Sequence, residues 1–164
     1  MKESRHYIIF TLDNHLFALY HSTVREITRA VEIRPLPGAP EIIMGVIIVR
    51  GQFIPVVNIR KRLGLPPKEV DIRDHLIIGR TATRPVALLV DDVQDVVEID
   101  DRRVAKQKDI LPGIGHVDGA INLEDNIVLV HDLEKFLSIE EENVLDQAMA
   151  NAKDERKETL APPR

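Results

Sequence analysis

The amino-acid sequence contains an internal repeat, and this feature limits the fold more than any other. Residues 6–9 (HYII) recur as residues 75–78 (HLII), and residues 24–27 (VREI) recur as 93–96 (VQDV), both 69 positions further along the chain. Two copies of one unit predict two similar subdomains in a single chain.

The second part of the repeat keeps its distinctive residues in register. Residues 45–63 recur as 119–137, 74 positions further along, which leaves a five-residue insertion in the second copy. The match retains a glycine and aligns the Asn-Ile step at 58–59 with the Asp-Leu step at 132–133. The alternative is chance similarity between hairpins of like polarity, which would match only classes of residue. Each copy is too small to be very stable alone, so we expect the two to pack together.

Short apolar runs separated by turn residues predict a series of β-hairpins. The first hairpin joins residues 7–12 to residues 16–20 through an Asp-Asn-His turn. Three prolines and a glycine exclude a helix from residues 32–40. Many short strands at this spacing favour a β-barrel or sandwich over an α/β fold. Further hairpins are predicted around residues 50–52, 81–85 and 124–126.

The character of the sequence changes near its C-terminus. Ser138 followed by Glu141 is a capping box, and apolar residues spaced through 144–152 form a narrow stripe. This pattern predicts one helix over residues 138–152 that packs on the β subdomains. Residues 153–164 are charged and end in Ala-Pro-Pro-Arg, so we expect a disordered tail there.

The composition excludes several classes of protein. The net charge is −5 with both signs interspersed, and aromatic residues make up only 4% of the chain, so neither a basic face nor a stacking platform for nucleic acid is present. The sequence contains no cysteine, which excludes a disulfide framework. No apolar run approaches the roughly 18 residues that span a bilayer, and the N-terminus lacks the layout of a signal peptide. We therefore expect a cytoplasmic protein.

No group of residues has the spacing that catalysis or metal binding requires. The six histidines include no pair at the i, i+4 spacing of a metalloprotease helix. The acidic run over residues 91–101 lacks the glycine and terminal glutamate of a calcium loop, and a charged strand edge is the better interpretation. The glycines at 113 and 115 lead into a strand rather than a helix, so they do not form a phosphate-binding loop. The sequence predicts no enzyme, no cofactor and no metal.

One arginine stands out on a predicted hairpin. Gly45 and Gly51 would hold the backbone tightly near Arg50 and project its guanidinium from the turn. A turn with a merely solvated cation is an equally good interpretation.

The distinctive repeat and hairpin segments are residues 7–12, 24–27, 35–40, 45–51, 54–60, 88–93 and 128–133. In this order along the chain they resemble the CheW family over about residues 6–152. The resemblance implies an all-β fold of two intertwined five-stranded β-barrel subdomains around a shared hydrophobic core. The CheW-like domain would cover 6–137, with barrels roughly at 16–74 and 75–137 and a shared first strand, followed by the C-terminal helix.

The resemblance also implies a function. It implies a chemotaxis scaffold that couples the cytoplasmic tip of a methyl-accepting chemoreceptor to the regulatory domain of a CheA-type histidine kinase, without enzymatic activity. The positions that match the receptor-facing residues of the family are Val24, Glu26, Gly45 and Arg50, in a groove between the barrels, and the kinase-facing surface is expected on the first barrel.

Two positions depart from the family pattern, and one alternative function remains. The family commonly has Asn where Ile48 stands and Asp where Asn58 stands, which allows a paralogue that serves another chemosensory array. The alternative is a ligand- or metal-binding sensor module that uses the groove between the barrels and its histidines.

Overall fold

The computed structural model describes residues 3–106 and 117–159, and this part of the chain is built mainly from β-strands. Most strands form where short runs of β-branched, aromatic and other apolar residues occur, and many end at the turn residues that the sequence places between them. Two α-helices and three short 3-10 turns complete the described structure. The strands are β1 (Ser4–Leu12), β2 (His15–Tyr20), β3 (Val24–Arg29), β4 (Ile43–Val49), β5 (Gln52–Val57), β6 (His75–Arg80), β7 (Pro85–Val90), β8 (Asp92–Asp100), β9 (Val104–Lys106), β10 (Val117–Leu123) and β11 (Asn126–His131), and the helices are α1 (Ile59–Leu63) and α2 (Ile139–Thr159).

The strands form two mixed sheets. Sheet A has the strand order β8-β1-β2-β11-β10-β9, and sheet B has the order β3-β6-β7-β5-β4. In each sheet one strand pair is parallel, β2 with β11 and β5 with β7, and the other pairs are antiparallel. The all-β class with a C-terminal helix is confirmed. The sheets have six and five strands and do not close into barrels, which differs in detail from the expected pair of five-stranded barrels.

The internal repeat appears in the structure as the same strand order in both sheets. β1, β2, β8, β10 and β11 of sheet A correspond by sequence to β6, β7, β3, β4 and β5 of sheet B. Each sheet therefore combines the first hairpin of one copy with the later strands of the other copy. The expected boundary between residues 74 and 75 does not divide the sheets, because a repeat shows which segments are alike and not which copy each segment pairs with.

The repeat extends to the irregularities of the strands. Arg25 in β3 and Gln94 in β8 each bulge out of the pairing with the neighbouring strand. Beside sheet B, Arg34 forms an isolated bridge with Val46, at the place where β9 pairs with β10 in sheet A. The two sheets thus share backbone detail as well as strand order.

Three apolar clusters hold the sheets together. One lies inside sheet A, around Ile9 and Val128, and one lies inside sheet B, around Ile47 and Leu76. The largest lies between the sheets and takes residues from both sheets and from α2. The two subdomains therefore share a core, and the apolar face of each sheet is covered fully only when the other sheet is present. Prominent members of the shared core are Phe10, Leu12, Phe17, Leu19, Ile77, Leu88, Phe136, Leu145 and Met149.

Helix α2 begins at the expected capping box and runs further than expected. The Glu141 carboxylate accepts from the Ser138 N–H, and the Glu141 N–H donates to the Ser138 hydroxyl. Residues 153–159 are helical rather than a disordered tail. The reason is that these residues include several strong helix formers and no glycine or proline, since the first proline is Pro162. The rest of the expected tail, residues 160–164, lies outside the described residues.

Candidate partner-binding site

Arg50 lies at the tip of the β4–β5 hairpin in an unusual backbone conformation. Its φ is +48° and that of Gly51 is +79°, the left-handed pattern of a tight two-residue hairpin turn. Glycine adopts this conformation without cost, whereas arginine does so at a cost of about 1 kcal/mol or more. The turn therefore holds Arg50 in this conformation against its backbone preference, with an exposed side chain at the tip of the hairpin.

The Arg50 guanidinium pairs with a carboxylate on a distant strand. Both Nη atoms donate to Oε2 of Glu26, at 3.1 and 2.6 Å. Glu26 lies on β3 and Arg50 follows β4, and these strands are the two opposite edges of sheet B. The pair thus bridges the edges of the curved sheet while the Arg50 side chain stays 72% exposed and that of Glu26 36% exposed. Both side chains remain within reach of a partner.

Gly45 has a different place, because it is buried. A Cβ atom at this position would lie 2.2 Å from the carbonyl oxygen of Arg34. Two backbone hydrogen bonds of 2.8 Å between Arg34 and Val46 cause this close approach. In sheet A, Gly119 repeats the contact, since its Cβ would lie 2.8 Å from the Ala105 oxygen. Gly45 therefore supports the fold in a way that recurs in the other sheet.

Val24 lies on the same strand as Glu26 and supports this strand from the core side. It pairs with Gly79 at the start of β3 and packs, partly buried, against the core between the sheets. Of the four residues that the sequence singled out, the structure brings Glu26 and Arg50 into direct contact and places Val24 and Gly45 within the supporting structure.

The corresponding positions of sheet A carry no such ion pair. Glu26 corresponds to Asp95, and Arg50 corresponds to Glu124 in the β10–β11 turn. Glu124 also has a positive φ, +49°, so the two turns share their backbone form. Two acidic side chains cannot form a salt bridge, and Asp95 instead accepts from the Val96 N–H at 2.8 Å. The ion pair is therefore a property of sheet B alone, although the backbone is common to both sheets.

Exposed apolar residues occur on the same two strands, and the sequence did not identify them as a site. Ile27 on β3 is 39% exposed and Ile48 on β4 is 40% exposed. The bulge at Arg25 places Val24 and Ile27 on one face of β3, and this irregular apolar spacing is the signal that could have revealed them. Ile48 pairs with Phe53, which packs on the shared core. The other position that departs from the family pattern, Asn58, caps α1 by accepting from the Lys61 N–H at 3.1 Å.

The structure offers little support for a metal or ligand site between the sheets. Within residues 3–106 and 117–159 there is no group of three or more potential metal-binding side chains. The shared apolar core lies between the sheets, and His131 is buried there between the rings of Phe17 and Phe136. A cleft lined by His15, His131 and several apolar side chains opens beside it. His116 and the glycines at 113 and 115 lie outside the described residues. No helix in the described part of the chain is long and apolar enough to cross a membrane.

Known proteins share this fold and much of the sequence. The model of the CheW-like domain family matches residues 6–141. The chain is 30% identical over 139 residues to the chemotaxis protein CheW of Rhizobium meliloti (strain 1021), covering 84% of this chain and 90% of that protein. It is 24% identical to the chemotaxis protein CheW of Treponema pallidum (strain Nichols), with 82% of each chain covered.

A solved structure agrees with the sequence matches. The scaffolding protein TtCheW from Thermoanaerobacter tengcongensis superposes with a TM-score of 0.77 at 25% identity, covering 85% of this chain and 96% of that chain. The two-sheet fold of this chain is thus similar to that of TtCheW. The chain belongs to the CheW-like domain family.

Proposed function

We propose that this chain is a chemotaxis coupling scaffold of the bacterial cytoplasm. In this proposal it joins the cytoplasmic tip of a methyl-accepting chemoreceptor to the regulatory domain of a CheA-type histidine kinase and catalyses no reaction itself. Family membership over residues 6–141 supports the scaffold role. The single structural observation that carries the receptor assignment is the exposed Glu26–Arg50 pair, which the equivalent positions of sheet A lack.

The proposed receptor surface combines one polar anchor with apolar contacts. An arginine has five N–H donors, and the bond to Glu26 leaves several of them for a carbonyl or carboxylate on a partner helix. Ile27 and Ile48 supply exposed apolar area on the same two edge strands. Val24 and Gly45 contribute indirectly, because they shape β3 and β4. A few anchors within a larger apolar surface are the usual source of affinity in protein interfaces.

The test is titration of Arg50→Ala against a receptor-tip fragment and, separately, against the kinase regulatory domain. We expect receptor binding to weaken by about 1 to 3 kcal/mol, the range for losing a charge-assisted hydrogen bond, and kinase binding to stay unchanged. Arg50→Asn is a second variant, since asparagine tolerates the left-handed turn and keeps the hairpin intact. Glu124→Ala is the matched control, because it alters the same kind of turn in sheet A.

Two outcomes would refute the receptor assignment. Unchanged receptor binding by Arg50→Ala would remove its support, and equal losses for both partners would show that the fold had been damaged. A charge swap, Glu26→Arg with Arg50→Glu, separates two roles for the pair. Recovery of binding relative to Arg50→Glu alone would show that the pair shapes the surface, and no recovery would show that Arg50 itself contacts the receptor.

A further inference from the structure

A second arginine, Arg60 in α1, is buried and pairs with two partly exposed aspartates. Its side chain is 10% exposed. Nη1 contacts Oδ1 of Asp13 at 2.7 Å and donates to the Pro66 carbonyl at 3.0 Å, and Nη2 donates to both carboxylate oxygens of Asp91 at 2.8 and 2.7 Å. The Asp13 N–H also donates to Asp91 at 2.8 Å. Both Nη atoms of Arg60 therefore contact a carboxylate, and Asp91 also accepts from a backbone N–H.

The network connects the two sheets. Asp13 lies in the β1–β2 turn of sheet A, and α1 follows β5 of sheet B. Asp91 is the residue at which the chain passes from β7 in sheet B to β8 in sheet A. We call Arg60, Asp13 and Asp91 the Arg60 clasp.

The surroundings favour the charged forms of the clasp. Burial raises the pKa of the Asp91 carboxyl, but hydrogen bonds from Arg60 and from the Asp13 N–H, together with the charge of Lys68, outweigh burial and lower it. Burial lowers the pKa of Arg60, and its two aspartate partners outweigh this and raise it. Lys68 also pairs with Asp74 at 2.7 Å and with Asp91 at 3.5 Å.

The repeat supplies a weaker counterpart of the clasp at the other end of β7. Arg60 corresponds to Glu134 and Asp13 corresponds to Ala82. The Glu134 carboxylate accepts from the Ala82 N–H at 2.6 Å, and this bond also joins the end of sheet A to a turn of sheet B. The same pair of positions thus ties the sheets twice, once through a partly buried ionic network and once through a single hydrogen bond.

Hydrophobic burial alone constrains the angle between the sheets less than a polar contact does, because it is not directional. An arginine fork with two carboxylates is directional, since its donors and acceptors must align. Buried ion pairs also add little stability compared with apolar residues of the same size, and setting one geometry is their best-attested role.

We propose that Arg60 is a positioning residue, and that the Arg60 clasp fixes the orientation of sheet A relative to sheet B at the Asp13 end of the molecule. When the clasp opens, the sheets move relative to each other about their shared core. The Glu134–Ala82 bond and the bond from the Asp91 N–H to the Thr11 carbonyl are among the ties that remain. A partner that contacts both sheets would sense this movement, and a partner that contacts one sheet would not.

Distance measurements between spin labels test this proposal, and the absence of native cysteine makes labelling specific. One label pair crosses the sheets near the clasp, at His15→Cys in β2 and Glu41→Cys before β4. The control pair lies within sheet A, at His15→Cys and Glu98→Cys in β8. We expect Arg60→Met to broaden and shift the distances across the sheets and to leave those within sheet A unchanged.

Milder variants keep the proposal testable if Arg60→Met fails to fold. Asp13→Asn removes one charged partner of the clasp and should shift the distances across the sheets less than Arg60→Met does. Arg60→Lys keeps the charge without the fork, and its shift should lie between those of Asp13→Asn and Arg60→Met. Glu134→Gln should leave the distance at the clasp end unchanged. An unchanged distribution across the sheets in folded Arg60→Met and Asp13→Asn would overturn the proposal, as would equal broadening in both label pairs.

Discussion

Sheet A and sheet B share a backbone plan but differ in charge at equivalent positions. The clearest cases are Arg50 and Arg60 in the first copy, which correspond to Glu124 and Glu134 in the second. Features that both sheets keep, such as the bulges and the buried glycines, serve the fold. Features that differ show where one half of the molecule has specialised. Burial further separates the two arginines, because the Arg60 side chain is 10% exposed whereas that of Arg50 is 72% exposed and open to a partner.

Among changes that remove the difference between the sheets, we expect the largest loss of stability at Arg60. Arg60→Met leaves Asp13 and Asp91 without their main partner, and we expect the free energy of unfolding to fall by about 2 to 4 kcal/mol. This is slightly less than for fully buried charges, because both aspartates keep some access to water. The equivalent change in the other tie, Glu134→Gln, retains an acceptor for Ala82 and should cost about 1 kcal/mol or less. Urea denaturation of both variants measures the difference, and similar losses would contradict it.

The glycines test what the sheets have in common. Gly45→Ala and Gly119→Ala should each destabilise the protein by about 1 to 3 kcal/mol, because the new methyl group meets a backbone carbonyl that cannot easily move. The loss should be greater for Gly45, whose Cβ would lie closer to its neighbour. Thermal unfolding gives the comparison. A neutral Gly45→Ala that nevertheless abolished receptor binding would instead place this residue in the interface.

Acid should weaken the charged side of the comparison. The folded protein holds the pKa of Asp91 below its ordinary value of 3.8, so the folded state binds the proton less readily than the unfolded chain. The stability that Asp91 contributes is therefore present above its unfolded pKa and is lost as the pH falls through the folded pKa. The midpoint temperature of thermal unfolding, measured from pH 7 to pH 2, should fall less steeply with decreasing pH in Asp91→Asn than in the unaltered protein, and the difference should appear at the acid end of the range. Identical slopes would show that Asp91 is not one of the groups responsible.

The smallest effect on stability is expected at Arg50. Arg50→Glu gives sheet B the turn charge of sheet A, and because the pair is exposed the free energy of unfolding should change by no more than about 0.5 to 1 kcal/mol. The change removes the favourable ion pair but should not strain the turn, because Glu124 shows that glutamate adopts the same φ. A much larger loss in urea denaturation would mean that the ion pair closes sheet B rather than serving a partner.

The sequence predicted the repeat, the hairpins and the C-terminal helix because these depend on local patterns. It singled out Arg50 and Glu26 separately, and their contact required the curvature of sheet B, which local patterns do not record. It did not identify Arg60, because an arginine after a strand looks like any solvated cation until Asp13 and Asp91 are brought to it from distant parts of the chain. The sequence also did not predict the exchange of hairpins, in which the first hairpin of each copy pairs with the later strands of the other copy. Both copies offer β2 similar apolar strands as partners.

That exchange also governs how the protein folds as the ribosome makes it. Sheet B has all its strands once Val90 has emerged, whereas β2 of sheet A waits for β11, which ends at His131. More than a hundred residues separate β2 from the end of that partner, so at usual rates of translation the wait is roughly 5 to 20 s. Throughout this interval the β1–β2 hairpin of the nascent chain lacks its pairing with β11. The rings of Phe10 and Phe17 also lack some of the core residues that bury them in the folded protein. We expect this hairpin to be the segment of the newborn chain most in need of protection from aggregation.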